Sequence, residues 1–298
     1  MTSSCGFVAV IGAPNAGKST LVNALVGAKV SIVTHKVQTT RSQLRGIFSE
    51  GEAQIVLVDT PGIFQPKRRL ERAMVRAAWS GAEDADVVLL LYDAARKRID
   101  QDTQGIIAQI KKSGRKAILA LNKVDLIKRE KLLDLAAQFD AEGCFERIFM
   151  ISAATGDGLQ ELRRYLASQM REGPWHFPED QVADISMRLL AAEVTREKLF
   201  LQLHQELPYN LTVETDSWED FQDGSAKIQQ TIYVARDNQK AIVIGKGGAA
   251  IKRVREETQK DLEEMTGRPI HLFLFVKVRE NWIDDPARYR DLGLDFKA

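Results

Sequence analysis

The chain has 298 residues, 44% of them hydrophobic and 28% charged, with a formal net charge of +1. That length sets a prior of about two domains, each large enough to bury its own core. The longest apolar runs, such as Val87 to Tyr92, fall well short of the roughly 20 residues a membrane-spanning helix needs, and the near-neutral charge means that any nucleic-acid partner has to be recognised by a local patch.

The sequence passes from Met1 almost directly into Phe7-Val8-Ala9-Val10-Ile11, which leaves no room for a signal peptide and predicts a cytoplasmic protein. Cys5 and Cys144 show no metal-ligand spacing and read as free thiols. From Phe7 to about Met170 short β-branched runs alternate with helical stretches, the pattern of βαβ units around a parallel sheet. Strands are predicted over Phe7 to Ile11, Gln54 to Val58, Val87 to Tyr92, Ala117 to Leu121 and, more briefly, Ile148 to Ile151. Gly173-Pro174-Trp175-His176-Phe177-Pro178 breaks any helix, because each proline lacks an N–H and restricts the residue before it. The expected organisation is therefore an α/β P-loop domain over 1–173, with a mostly parallel sheet and helices on both faces, a linker over 174–182, and a smaller α+β domain over 183–298. In that second domain the order predicted is helix (about Asp184 to Gln205), strand (Asn210 to Glu214), strand (Lys227 to Ala235), short helix, helix (about Ala249 to Met265), strand (Ile270 to Val278).

The chemistry is concentrated in short motifs. Gly12, Ala13, Pro14, Asn15, Ala16, Gly17, Lys18, Ser19 and Thr20 form a GxxxxGKS pattern between the first strand and a helix, the context its mechanism requires. Glycines there let consecutive N–H groups face phosphate oxygens, the helix N-terminus adds its positive end, Lys18 reaches the outer phosphates and the Ser19 hydroxyl ligates Mg2+. Asp59, Thr60, Pro61 and Gly62 follow the second predicted strand, placing a carboxylate for the Mg2+ shell and a glycine N–H for the γ-phosphate. Asn122, Lys123 and Asp125, in Asn-Lys-Val-Asp, follow the fourth; the Asp125 carboxylate accepts two N–H groups from guanine that adenine lacks, which makes the nucleotide GTP or GDP. Ser152 and Ala153 offer backbone N–H groups to the guanine carbonyl. Between these motifs, Gln38-Thr39-Thr40-Arg41-Ser42 carries hydroxyls for a Mg2+ shell completed only when a γ-phosphate is bound; Thr40 is favoured, Thr39 stays open, and an ordinary solvated loop is the plainer alternative.

Ile63 stands where many small GTPases carry the glutamine that orients the attacking water, so a slow intrinsic hydrolysis is expected. A carbonyl oxygen of Asn15 can ligate a monovalent ion such as K+ beside the phosphates, although a turn-shaping role explains that residue equally well. The catalytic set is Lys18, Thr40, Asp59 and Gly62, and the metal set Ser19, Thr40 and Asp59.

In the second domain Gly245, Lys246, Gly247 and Gly248 make a GXXG loop between two helical segments, followed by Lys252, Arg253 and Arg255. In KH domains such a loop clamps about four nucleotides, since glycine admits a sugar-phosphate backbone at close range. Against this stands a balance of −3 from Val182 onward, 17 Lys and Arg against 20 Asp and Glu. Ile251, Val254, Leu262 and Met265 recur at helical spacing and are expected to pack inward, leaving the basic residues outside.

These motifs, together with Leu207-Pro208-Tyr209 and Val276-Lys-Val-Arg279 through Trp282, resemble the Era family of bacterial GTPases over nearly the whole chain. The resemblance implies a monomeric factor in small (30S) ribosomal subunit assembly that binds the 3′ end of 16S rRNA through a type II KH domain and associates loosely with the inner membrane. Two other readings are a non-catalytic RNA-binding scaffold stabilised by GTP, which Ile63 permits, and a membrane-associated signalling GTPase.

Overall fold

The computed structural model describes residues 3–36, 39–41, 43–203, 207–280, 282 and 285–297. Gln38 and Ser42 of the hydroxyl-rich loop lie outside the described residues. The chain divides into two compact units, Met1–Ser31 with Thr40–Asp184 and Leu292–Ala298, and Ile32–Thr39 with Ile185–Asp291.

The first unit follows the order β1 (Ser4–Ile11), α1 (Lys18–Val26), β2 (Leu44–Glu50), β3 (Ala53–Asp59), α2 (Arg69–Asp84), β4 (Val87–Asp93), α3 (Gln101–Ser113), β5 (Ala117–Asn122), α4 (Arg129–Asp140), β6 (Phe145–Met150), α5 (Leu159–Ser168) and the two-residue β7 (Arg171–Glu172). The sheet runs β2-β3-β1-β4-β5-β6, with β7 pairing antiparallel to the start of β1. Its central strands are parallel and read as near-continuous apolar runs because both faces are covered. Val8 and Val10 of β1 join a core with Leu21, Leu25, Leu162 and Leu166, while Ala9 and Ile11 face the opposite core with Ala78, Ile106 and Phe139. The chain leaves β1 between β3 and β4, where strand order reverses, and such a switch point opens a crevice beyond the strand ends.

Strand β2 is absent from the sequence-based expectation. Its Gly46 sits mid-strand, where glycine ordinarily weakens a strand, but a Cβ there would come within 2.8 Å of Val26 and 3.0 Å of Val22. The residue is small because α1 packs against the strand at that point. The expected linker also differs. Gln54 Oε1 accepts from the N–H groups of His176 and Phe177 at 3.0 and 3.1 Å, Gln54 donates to the Phe177 carbonyl at 2.8 Å, and Ala183 bridges Gly46, so 174–182 lies on the first unit and the division falls after Asp184.

The second unit continues α6 (Met187–Gln202), β8 (Leu211–Asp220), β9 (Ala226–Val234), α7 (Asp237–Ile244), α8 (Ala249–Thr266), β10 (Ile270–Val278) and α9 (Pro286–Asp291). Its sheet is β10-β9-β8, with β9 parallel to β10 and antiparallel to β8. Val254 and Leu262 of α8 are buried and Ile251 and Met265 partly so, packed with Ile232, Val234, Ile228 and Leu272. Ser186 caps α6 by accepting from the Leu189 N–H at 3.3 Å. Val33, Lys36 and Thr39 join this unit through α6: the Val33 N–H donates to Glu197 at 2.8 Å, Arg196 bonds the Thr39 carbonyl while paired with Glu193, and Lys36 donates to the carbonyls of Phe200 and Leu203. Among the described residues no helix is long and apolar enough to cross a membrane.

Candidate functional site

The loop from Gly12 to Gly17 connects β1 to α1 and is shaped by close approach as well as by torsion. A Cβ on Gly12 would lie 2.4 Å from the Leu91 carbonyl, and Gly17, at φ +98°, would drive one to 2.4 Å from Asn122 Nδ2. Asn15 adopts φ +63°, a left-handed conformation that asparagine tolerates better than most residues. Ala13 and Ala16 are buried, and Thr20 lies in the first turn of α1.

Lys18 folds back into this loop, donating to the carbonyls of Gly12 and Ala13 at 3.1 Å each. Burial lowers its pKa to about 8, the Asp59 charge pulls it up, and the Arg96 charge pushes it down further. The ammonium is therefore a cation under-solvated by the protein and predisposed to exchange those carbonyls for phosphate oxygens.

Ser19, Thr40 and Asp59 converge. Ser19 Oγ donates to Asp59 Oδ2 at 2.9 Å, Thr40 Oγ1 lies 2.9 Å from Ser19 Oγ, and Thr40 Oγ1 donates to Asp59 Oδ2 at 3.5 Å. Ser31 Oγ also donates to Oδ2, at 2.6 Å. Asp59 Oδ1 is buried with no hydrogen-bond partner among the described residues, and burial pushes the Asp59 carboxyl up against the bonds from Ser31, Ser19 and Thr40 and the charge of Lys18. A buried carboxylate with an unused oxygen beside two hydroxyls is an all-oxygen donor set, which fits a hard divalent cation such as Mg2+. Thr39 points elsewhere: its Oγ1 donates to the Lys36 carbonyl at 2.8 Å and lies 2.6 Å from Thr34 Oγ1.

Thr60 donates to the Val10 carbonyl at 2.8 Å, which fixes the turn after β3. The Gly62 backbone approaches Pro14 so closely that a Cβ would meet it at 3.1 Å. Ile63 donates its N–H to the Gly12 carbonyl at 3.1 Å and buries its side chain in the core with Ala9 and Ile11, so it presents no polar group to a water.

At the base end, Asn122 donates to the Ala16 carbonyl at 2.9 Å and accepts from the Ala153 N–H at 2.9 Å, tying the phosphate loop to the loop after β6. Lys123 bonds the Asn15 carbonyl at 3.0 Å and Asp93 at 2.6 Å. Asp125 is exposed on a 3-10 turn over Val124–Leu126. The Ser152 N–H is taken by the Asp157 carbonyl at 3.0 Å. Both amides expected to meet a guanine carbonyl are thus engaged within the protein, and a bound base would have to take over one of those bonds.

In the second unit, Gly245 (φ +74°), Gly247 (φ +60°) and Gly248 (φ +80°) form the turn into α8, an 18-residue helix. A Cβ on Gly247 or Gly248 would meet nothing within 4 Å. Lys252 and Arg253 are exposed on the first turns of α8, but Lys252 lies 3.9 Å from Glu256, and Arg255 lies 3.4 Å from the same carboxylate, so part of the basic cluster is internally balanced.

The sequence-based reading missed Arg96. Its guanidinium donates to the Pro14 carbonyl at 2.6 Å and pairs with Asp100. No motif marks it.

A family model described as 50S ribosome-binding GTPase matches residues 7–123, and one described as KH domain matches 206–283. The GTPase Era of Bradyrhizobium sp. (strain ORS 278) is 61% identical over 98% of this chain and 95% of its own length. That of Rhizobium meliloti (strain 1021) is 60% identical over 98% and 93%. Among solved structures, Era in complex with MgGDPNP and nucleotides 1506–1542 of 16S ribosomal RNA superimposes with a TM-score of 0.92 at 36% identity, covering 98% of this chain and 99% of that one. An Aquifex aeolicus Era variant bound to GDP.AlF4− gives 0.91 at 36%, covering 97% and 99%. Identity of this order over both units, on a phosphate loop and a KH fold each built as their motifs demand, establishes that the chain belongs to the Era family of GTPases.

Proposed function

We propose that this GTPase binds the 3′ end of 16S rRNA through its KH unit and acts in assembly of the 30S subunit, using GTP and Mg2+. The observation that carries the RNA half is the Gly245–Gly248 turn at the N-terminus of α8, where Lys246 and Gly247 are exposed and the space beside Gly247 and Gly248 is open to a close-approaching backbone, within a span that matches the KH model. The relative whose structure contains 16S nucleotides 1506–1542 shares both units with this chain. Gly245, Lys246, Gly247 and Gly248 grip the RNA backbone, with Lys252 and Arg253 supplying phosphate contacts.

In the nucleotide half, Gly12 to Thr20 cradle the phosphates, Lys18 exchanges its carbonyl partners for the outer phosphate oxygens, and the Gly62 N–H faces the γ-phosphate. Ser19, Thr40 and Asp59 hold Mg2+, which neutralises charge on the phosphates when bound. Asp125 reads the guanine edge, supported by Asn122, Lys123, Ser152 and Ala153. With Ile63 in the core, no side chain of that turn orients water, so charge stabilisation by Lys18 and backbone N–H groups carries hydrolysis. A K+ ion at Asn15 would add to it, and matched KCl and NaCl buffers test this: faster hydrolysis in KCl supports the ion, equal rates remove it.

The protein works in the cytoplasm, where its RNA is, as a monomer. Peripheral contact with the inner membrane rests on family resemblance alone, and vesicle flotation tests it. The RNA assignment is tested by fluorescence anisotropy with the 1506–1542 fragment and a scrambled RNA of equal length, in GDPNP and Mg2+. Clear preference for the authentic sequence supports the reading, and equal binding overturns it.

A further inference from the structure

Three consecutive carbonyls of the phosphate loop are each held from outside by a different side chain. Arg96 donates to Pro14 O at 2.6 Å, Lys123 to Asn15 O at 3.0 Å, and Asn122 to Ala16 O at 2.9 Å. Among the described residues no peptide bond is cis. In a trans peptide the C=O and the following N–H point in opposite directions, so a carbonyl turned outward onto a cation turns the next residue's N–H inward. The three clamps therefore aim the N–H groups of Asn15, Ala16 and Gly17 away from Arg96, Lys123 and Asn122; the Ala16 N–H makes a long bond to the Ala13 carbonyl at 3.4 Å, which an anion seated in the loop would replace as in an anion-binding nest. Asn122 and Lys123 belong to the motif that reads guanine. Arg96 belongs to none, comes from the loop between β4 and α3, and governs the peptide that leads into the left-handed Asn15.

Arg96 is itself fixed. Its guanidinium pairs with Asp100, whose carboxylate also caps α3 by accepting from the Thr103 N–H and hydroxyl, each at 3.0 Å. Those bonds, the Arg96 charge among them, hold the Asp100 carboxyl below the usual carboxylate range against its partial burial. An ionised Asp100 anchored on a helix cap leaves Arg96 little freedom to swing away from Pro14.

We propose that Arg96 is a positioning residue of the phosphate cradle, holding the Pro14–Asn15 peptide so that the Asn15 N–H faces the nucleotide phosphates. The inference rests on the nucleotide-binding reading above. Arg96 touches no substrate in this role; it acts through one peptide plane. Losing that orientation removes one charge-assisted hydrogen bond to phosphate, and the left-handed Asn15 gives the freed peptide a reason to flip.

The test uses the full chain and fluorescent GDP and GTP analogues. Arg96→Gln, too short to reach Pro14 from the same backbone, is expected to weaken both nucleotides by about tenfold. The ratio of GTP to XTP affinity should stay at the wild-type value because the base end is untouched, and the apo melting temperature should hold. Arg96→Lys, which keeps a donor of nearly the right length, should recover most of the affinity. Asp100→Asn should reproduce part of the loss by releasing the guanidinium. If the wild type binds GDP and Arg96→Gln binds it equally well, the role of Arg96 is overturned while the nucleotide site stands. A loss that Arg96→Lys does not recover, or one that comes with a matching fall in melting temperature or in base preference, overturns it too, since a general weakening of the loop would then explain the data. Failure of the wild type itself to bind guanine nucleotides would instead strike at the nucleotide reading.

Discussion

Gly247→Asp separates the RNA-binding role of the GXXG turn from its role as a mere bend. Gly247 has φ +60° and ψ +21°, the left-handed region where an ordinary residue costs roughly 1–2 kcal/mol and aspartate somewhat less. A Cβ there meets nothing within 4 Å. A carboxylate just before α8 also gains roughly 0.3–1 kcal/mol from the helix N-terminus, which offsets most of the strain. The free protein should therefore lose no more than about 1 kcal/mol, a few degrees in melting temperature for a unit of this size. RNA binding responds differently. A carboxylate about 4 Å from a phosphate at an effective dielectric near 20 is repelled by about 4 kcal/mol; halving that for salt screening at an exposed turn leaves about 2 kcal/mol, roughly 30-fold in affinity. Gly247→Ala carries the same backbone strain without the charge and should lose less, and Lys246→Ala should mainly reduce the salt slope of binding by about one unit. Filter binding of the 1506–1542 RNA, alongside a GDP titration to show the first unit intact, gives the order wild type, Ala, Asp. Wild-type RNA affinity in Gly247→Asp would refute the argument and leave the turn as structure only.

Burial holds Lys18 near pKa 8 in the free protein against 10.5 for an unhindered lysine. Between those values the unfolded chain binds more protons than the folded one, so apo stability should rise with pH, by about 2 kcal/mol from pH 8 to pH 10; urea titrations should show that slope in the wild type and not in Lys18→Met, and equal slopes would mean Lys18 does not titrate there. Lys18→Ala should abolish productive GTP binding by removing the mobile cation of the cradle, and normal GTP affinity in that variant would contradict the assignment. Asp125→Asn should shift preference from GTP toward XTP, because an amide donates to the xanthine C2 oxygen where the carboxylate accepted from guanine. Competition titration reads this directly, and an unchanged preference would mean that Asp125 does not read the base.

The nucleotide site was legible because each of its parts is local. Gly12 to Thr20, Asp59 to Gly62 and Asn122 to Asp125 are contiguous stretches whose chemistry and spacing are both written in the chain, and each ends a strand buried on both faces. The sequence favours Thr40 while leaving Thr39 open; in the structure it is Thr40 that lies against Ser19 and Asp59. The features that escaped depend on contacts remote in sequence. Strand β2 hides behind Gly46, which is glycine for the sake of Val22 and Val26 on α1. Residues 174–182 look like a linker until Gln54 is seen to bond His176 and Phe177. Glu193, Arg196 and Glu197 have the look of a solvated helix face, yet all three are buried: Glu197 accepts from Val33, and Arg196, paired with Glu193, bonds Thr39. Arg96 is one arginine among many until its guanidinium is found on Pro14.

One chain joins GTP hydrolysis to recognition of the 16S 3′ end. Single-turnover hydrolysis of GTP, with Mg2+ and with or without the 1506–1542 RNA, tests it most directly. Turnover by the protein alone should be slow, because Ile63 is in the core, and faster with the authentic RNA but not with a scrambled one. No hydrolysis under any condition would make the protein a GTP-stabilised scaffold, and hydrolysis indifferent to RNA would contradict the coupling.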